Sequence, residues 1–180
     1  MFTGCNSLTK VVIPNTVEGI DNYAFQSCEK LENLIIEEIR RRYNPIQFEL
    51  INCHVTLCRE DEIGEIDRII ENLDCLIKNK FIITFGNVIK FSDGRGIMLE
   101  GYVDNFSFHE LRNKVLKGVV NNPQRKMPHV TLMHPRNSTC NDEIFNEILK
   151  YKLPKEMYFN SISLIEQLDG GVWKVIKDYK

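Results

Sequence analysis

The tetrapeptide His-Val-Thr-Leu occurs twice in this chain, at residues 54–57 and again at residues 129–132. In an extended strand alternate side chains point to the same face, so the histidine and threonine of each copy share one face. Each copy therefore predicts a strand that buries its valine and leucine and presents an imidazole beside a hydroxyl. Two such strands facing each other would form a site suited to acid–base chemistry on a phosphate.

The composition limits what such a site could belong to. The 180 residues are 43% hydrophobic and 27% charged, which suits one compact domain or one domain with a small appendage. A net charge of −2 gives no global basic field for nucleic acid, although a local basic cleft stays open. The sequence has no long apolar run and no signal-peptide pattern, so we expect no membrane contact and a cytoplasmic location. The six cysteines form no Cys-x-x-Cys pair, which favours free thiols over zinc.

Apolar periodicity and turn residues place a series of elements around the two motifs. Helices are predicted at 29–43, 62–78, after a capping box at 107–110, and around 144–149. Strands are predicted at 50–58, 80–91, 96–103, 128–134, 157–167 and 172–179. In each half a helix precedes the motif strand, and a helix and a hairpin follow it. We therefore predict an α+β fold in which two pseudo-symmetric lobes of antiparallel sheet, with outer helices, surround a central cleft.

The first 36 residues have a different pattern. Five apolar positions recur after 23 residues, namely Phe2, Cys5, Leu8, Val11 and Ile13, then Phe25, Cys28, Leu31, Leu34 and Ile36. This pattern resembles the repeats of the BspA-like leucine-rich family. Because so few repeats cannot form a stable stack, we expect residues 1–36 to be an incomplete fragment that packs on residues 37–180 or contacts another protein. The repeat favours a strand at 34–36, whereas the helical apolar spacing favours the helix at 29–43.

The paired His-x-Thr motifs resemble the 2H phosphoesterase superfamily, which includes 2′-5′ RNA ligase-like proteins and cyclic nucleotide phosphodiesterases. The resemblance covers roughly residues 30–180. Pro128 precedes the second motif as is usual in the family, whereas Cys53 precedes the first. The resemblance implies that two residues, His54 and His129, are the catalytic acid–base pair. It further implies that Thr56 and Thr131 bind the phosphate and that no metal ion or other cofactor is needed.

Other polar residues near the motifs have two interpretations. Arg59, His134 and Arg136 could contact phosphate or base at the rim of the cleft, or they could be solvated loop charges. We expect His109 to lie at the surface. We also expect the three consecutive arginines at residues 40–42 to form a solvated helix face. Five aromatic residues could stack on a base, and the sequence does not choose among them: Phe85, Phe91, Tyr102, Phe159 and Trp173.

The hypothesis from these patterns is a metal-independent phosphodiesterase that acts on a 2′,3′-cyclic or 2′-5′ linkage of a nucleotide or RNA, with 2′-5′ RNA ligase-like activity as a further option. The alternative is a non-catalytic interaction or nucleotide-binding module in which the leucine-rich fragment mediates protein contacts. The intact histidines and threonines of both motifs favour the enzyme. We expect a monomer whose partner is its nucleotide or RNA substrate.

Overall fold

The computed structural model of this protein describes residues 29–76 and 80–180, and the side chains from residue 34 onward within those ranges. The helices there are α1 Glu29–Tyr43, α2 Pro45–Leu50, α3 Ile66–Asp74, α4 Phe106–Val115 and α5 Asp142–Ile148. The strands are β1 Phe81–Lys90, β2 Ile97–Gly101, β3 His129–Met133, β4 Glu156–Phe159, β5 Ile162–Glu166 and β6 Lys174–Tyr179. The predicted α+β class is confirmed.

The strands form two antiparallel sheets of unequal size. The larger sheet has the order β3-β2-β1-β4, and the smaller one pairs β5 with β6. β1 and β2 are joined by a tight turn in which Gly94 has a φ of 70°, a conformation that glycine adopts without steric cost. The second motif therefore lies in β3, at the edge of the larger sheet.

The main core lies between the larger sheet and the helices α1, α4 and α5. Its buried apolar side chains include Ile36 and Ile39 of α1, Ile83 and Phe85 of β1, Leu99, Phe108, Val130, Leu132 and Ile148. A second cluster joins α3 to α4 through Ile69, Leu73, Val115 and Leu116. Since Val130 and Leu132 belong to the main core, the alternate residues of β3 face away from it, as the sequence predicted.

The first motif differs from its prediction as a regular strand over 50–58. Helix α2 occupies the chain as far as Leu50, and afterwards only Val55 makes a β-bridge, with Val130 of β3. The expected division of faces nevertheless holds, because Val55 and Leu57 pack against the main core while His54 and Thr56 are exposed. The strand prediction was therefore wrong in backbone pairing and right in side-chain direction.

Several other elements also depart from the sequence predictions. The helix at 29–43 is confirmed as α1. Of the helix predicted at 62–78, residues 77 and 78 lie outside the described residues, and the described part is helical at Ile66–Asp74, which is α3. Asn105, not Ser107, is the N-cap of α4, and the Ser107 hydroxyl donates to the carbonyl of Ile82 instead. The strand predicted at 157–167 divides into β4 and β5, which belong to different sheets.

Two residues expected at the surface are buried. His109 is 7% exposed and its Nε2 is 3.0 Å from the carbonyl of Val103, which satisfies the ring inside the protein. Arg40 is 3% exposed because its guanidinium pairs with Glu37. Only Arg41 and Arg42 of the arginine run are exposed as predicted.

Most of the leucine-rich fragment, residues 1–28, lies outside the described residues, so its packing and its protein contacts stay predictions. No helix within the described ranges is long and apolar enough to cross a membrane.

Candidate active site

The two motifs meet through the bridge between Val55 and Val130, which is antiparallel. The bridge is isolated, and its antiparallel register, continued by one residue on each side, would set His54 against Thr131 and Thr56 against His129. The side chains of His54 and Thr56 point away from the core, and those of His129 and Thr131 alternate with the buried Val130 and Leu132. In a regular antiparallel pair, residues related as the two histidines are in this register lie about 7–8 Å apart at their Cα atoms.

Both histidines make the same contact with their own backbone. Nδ1 of His54 is 2.8 Å from the carbonyl of Asn52, and Nδ1 of His129 is 3.4 Å from the carbonyl of Met127. A carbonyl can only accept a hydrogen bond, so Nδ1 carries the proton in each ring. Nε2 is therefore the atom that can take up or release a proton at the exposed face.

The environment lowers the pKa of both catalytic candidates. For His54 the main cause is loss of solvation, which prevails over the opposing hydrogen bond to Asn52 although the residue keeps an exposed surface. The pKa of His129 is lowered by desolvation and also by the positive charges of Arg59 and His54. Two neighbouring rings cannot both be charged without repulsion, so protonation of one ring disfavours protonation of the other.

The three rim candidates lie at different places around the pair. The Arg59 guanidinium is close enough to lower the pKa of His129. Desolvation lowers the pKa of His134, and Arg136 and His54 lower it further. The backbone N–H of Arg136 donates to Nδ1 of His134 over 3.1 Å, so His134 presents the opposite tautomer, with its proton on Nε2. The side chain of Asn44 fixes this corner by accepting from the backbone N–H of His134 over 2.8 Å.

Two of the aromatic candidates are next to the motifs. Phe91 meets the ring of His129 edge to face, with centroids 5.7 Å apart. Phe159 lines a cavity of about 190 Å³ together with Cys53, His54, Asn160 and Ser161. By contrast, Phe85 is buried in the core. A larger cavity of about 270 Å³ lies between α3 and β6, and none of the described residues that line it belongs to a motif. The smaller cavity is thus lined by one of the two histidines, His54.

The second motif is held by its sheet. His129 pairs with Glu100 and Thr131 with Met98 across the β2–β3 ladder. The backbone N–H of Gly101 also donates to the carbonyl of Pro128 over 2.7 Å, just before the histidine. A Cβ atom at position 101 would lie 2.6 Å from that carbonyl oxygen, so only glycine permits this approach.

The first motif is held by side chains from two helices. Arg40 of α1 donates to the carbonyl of Ile51, and Arg112 of α4 donates to the carbonyl of Leu57. Arg112 is 2% exposed and pairs with Glu62 over 2.7 Å. Neither arginine was predicted to support the motif, because both are distant from it in the chain and arginine is ordinarily a surface residue.

Among the residues described, no cluster of three or more His, Cys, Asp or Glu side chains has an arrangement that could hold a metal ion.

The bridge brings together the two motifs that carry the histidine and threonine candidates. Residues 28–171 match the family model of the 2′-5′ RNA ligase superfamily, and the chain belongs to this family. The resemblance predicted from the motifs is thereby confirmed. Membership supports a phosphoesterase- or ligase-type enzyme. A search of curated proteins found no significant match.

Proposed function

We propose that this protein is a phosphodiesterase that opens the 2′,3′-cyclic or 2′-5′ phosphodiester of a nucleotide or RNA without a metal ion. The observation that carries the proposal is the antiparallel bridge between Val55 and Val130, which supports a shared face for both histidines and both threonines. Acid and base on opposite sides of one phosphate are what in-line displacement at phosphorus requires.

The proton transfers follow from the tautomers. Nε2 of one neutral histidine accepts a proton from water as the water oxygen attacks phosphorus. Nε2–H of the other, protonated histidine gives its proton to the ribose oxygen as the bond from phosphorus to that oxygen breaks. A cyclic phosphodiester thereby becomes a phosphomonoester and a free hydroxyl. The protonation states of the two rings are exchanged afterwards, and solvent restores them.

The threonines stabilise the negative charge on the phosphate oxygens that the histidines do not contact. The hydroxyl groups of Thr56 and Thr131 donate hydrogen bonds to the non-bridging oxygens, and they add no negative charge to a site that binds an anion. Arg59 and His134 add positive charge or a donor at the rim, and Phe91 or Phe159 offers an aromatic surface to the base.

Turnover of a 2′,3′-cyclic nucleotide in the presence of a chelator tests the proposal. The wild-type chain should release a nucleoside monophosphate, and His54→Ala and His129→Ala should each lower kcat at least about 100-fold. His109→Gln is the matched control, because His109 is buried away from the motifs. Absence of turnover with cyclic and 2′-5′-linked substrates alike would overturn the proposal and favour a non-catalytic nucleotide-binding or interaction module.

The nucleophile that attacks the cyclic phosphate distinguishes a hydrolase from a ligase. If a ribose hydroxyl of a second RNA replaces water, the same two histidines form a 2′-5′ linkage from a 2′,3′-cyclic end. Incubation of an RNA with a 2′,3′-cyclic end and an RNA with a free 5′-hydroxyl should give hydrolysed ends in excess over joined product, since His54 is exposed among the residues that the structure describes. Joined product in excess would identify the chain as a ligase instead.

A further inference from the structure

The first motif is connected to an ion pair on α1 in which Arg40 is buried and Glu37 is partly exposed. The Glu37 carboxylate accepts a hydrogen bond from the backbone N–H of Cys53 through Oε1, and its Oε2 pairs with Arg40. Arg40 in turn donates to the carbonyl of Ile51. The pair therefore holds the backbone on both sides of Asn52, although none of these residues reaches the exposed face of the motif.

One peptide unit lies between this pair and the catalytic candidate. The N–H of Cys53 and the carbonyl of Asn52 belong to the same peptide bond, and the described residues contain no cis peptide. In a planar trans peptide the N–H and the carbonyl point in opposite directions. The N–H points at Glu37, and the carbonyl accepts from Nδ1 of His54 over 2.8 Å.

We propose that Glu37 is a positioning residue for His54 and acts through the Asn52–Cys53 peptide. Successive hydrogen bonds polarise one another, so a carboxylate behind the N–H makes the Asn52 carbonyl a stronger acceptor. This fixes the proton on Nδ1 of His54 and turns Nε2 towards the exposed face. The consequence for catalysis rests on the proposed function, whereas the effect on the ring does not.

The second motif lacks this hydrogen bond from a peptide N–H to a carboxylate. The carbonyl that accepts from His129 belongs to Met127, and the next residue is Pro128, which has no N–H to offer a carboxylate. The corresponding contact is longer, 3.4 Å. The two histidines thus differ in how firmly their tautomers are fixed, and His129 is a control within the same molecule.

Nitrogen NMR of the full chain labelled at histidine tests the proposal without substrate. In Glu37→Gln the Nδ1–H form of His54 should lose population, while His129 keeps its wild-type signals. Glu38→Gln, at an exposed neighbour on α1, should change neither ring. Unchanged His54 signals in a folded Glu37→Gln variant, or equal changes at both histidines, would overturn the proposal.

A second variant covers the case in which Glu37→Gln does not fold. Cys53→Pro removes the N–H donor, leaves the pair of Glu37 and Arg40 in place, and copies the Pro-His sequence of the second motif. The Nδ1–H signal of His54 should then become like that of His129. A wild-type His54 signal in Cys53→Pro would overturn the proposal in the same way.

The kcat and KM for a cyclic phosphodiester add a readout that distinguishes a positioning role of Glu37 from a merely structural one. Glu37→Gln should lower kcat about tenfold with little change in KM, as loss of a group that orients a functional side chain does. In the Cys53→Pro background the same substitution should cost nothing further, because its route to His54 is already cut. Additive losses would overturn the proposal. If the wild-type chain turns over no substrate, the proposed function fails and the NMR result still decides the role of Glu37.

Discussion

Val55 and Val130 pair across an antiparallel bridge, which brings the two His-Val-Thr-Leu motifs together in opposite chain directions. In the register of this bridge His54 corresponds to Thr131, and His129 corresponds to Thr56. A duplicated sequence in antiparallel pairing is related by a local two-fold axis, so its two copies present the same groups from opposite sides. That relation matches the transfer of a proton onto one side of a phosphate and off the other.

The two-fold relation makes the threonines equivalent in a test. Thr56→Val and Thr131→Val each remove a hydroxyl and keep the side-chain shape, so each should lower kcat for a 2′,3′-cyclic nucleotide about 10- to 1000-fold. Thr→Ser at the same positions keeps the donor and should retain most activity. Neither residue is buried in the core, so melting temperatures should not change. Valine variants with wild-type kcat, or serine variants as slow as the valine ones, would contradict a phosphate-binding role.

The lowered pKa values of His54 and His129 predict the pH dependence. One ring must be neutral and the other protonated, and both titrate below their ordinary range in the free protein. The bell-shaped profile of kcat/KM should therefore have its optimum below about pH 6.5 and decline towards neutrality as the acid histidine loses its proton. A bound phosphodiester anion raises both pKa values, so the optimum of kcat should lie at higher pH.

Arg59 provides a check on this pH profile. Its positive charge lowers the pKa of His129, so Arg59→Met should move to higher pH the limb of the kcat/KM profile that His129 sets, which is the decline if His129 is the acid and the rise if it is the base. Initial rates across the range from about pH 4 to 9 measure both curves. A wild-type optimum of kcat/KM above neutrality would contradict the assignment of these two histidines.

Sequence periodicity predicted the parts of the fold that rest on backbone pairing and apolar faces. Helix α1, the hairpin of β1 and β2, and strand β3 were predicted because their apolar residues follow the period of the element. The first motif was mistaken for a regular strand because Arg40 and Arg112 take over the carbonyls that a neighbouring strand would bind. Hydrogen bonds from side chains in place of a neighbouring strand leave no periodic pattern in the sequence.

The candidate site was predictable to a similar extent. The duplicated tetrapeptide identified the four side chains of the shared face and the direction in which each points. The groups behind them were not predictable, because the acceptors of both Nδ1 atoms are main-chain carbonyls, which every residue possesses. Glu37 is far from His54 in sequence, and nothing in its local pattern distinguishes it from Glu38.

Gly101 should be irreplaceable for steric reasons. An added Cβ would lie 2.6 Å from the oxygen and 2.7 Å from Cγ of Pro128, so Gly101→Ala must displace the backbone that leads into His129. We expect a loss of about 1–3 kcal/mol in the free energy of unfolding, measured by urea denaturation, and a lower kcat. Gly64→Ala is the matched control, because nothing lies within 4 Å of its added Cβ, and it should stay within about 0.5 kcal/mol of wild type. Equal stability of the two variants would contradict the close approach.

Arg112 should stabilise the fold far more than a surface arginine does. Arg112→Met removes the charged partner of the Glu62 carboxylate, which is 11% exposed and keeps the backbone N–H of Arg59, and it leaves the Leu57 carbonyl without the guanidinium donor. This should cost about 3–5 kcal/mol in urea denaturation. Arg68→Met breaks an exposed pair with Glu71 and should cost at most about 1 kcal/mol.

Arg112 holds the pKa of Glu62 below its ordinary value, so the pair stabilises the native state above that ordinary pKa. This contribution is lost as pH falls through the lowered pKa, and the difference between wild type and Arg112→Met should therefore narrow in acid. A difference that grows in acid, or a cost no larger than that of Arg68→Met, would show that the arginine does not hold the first motif in place.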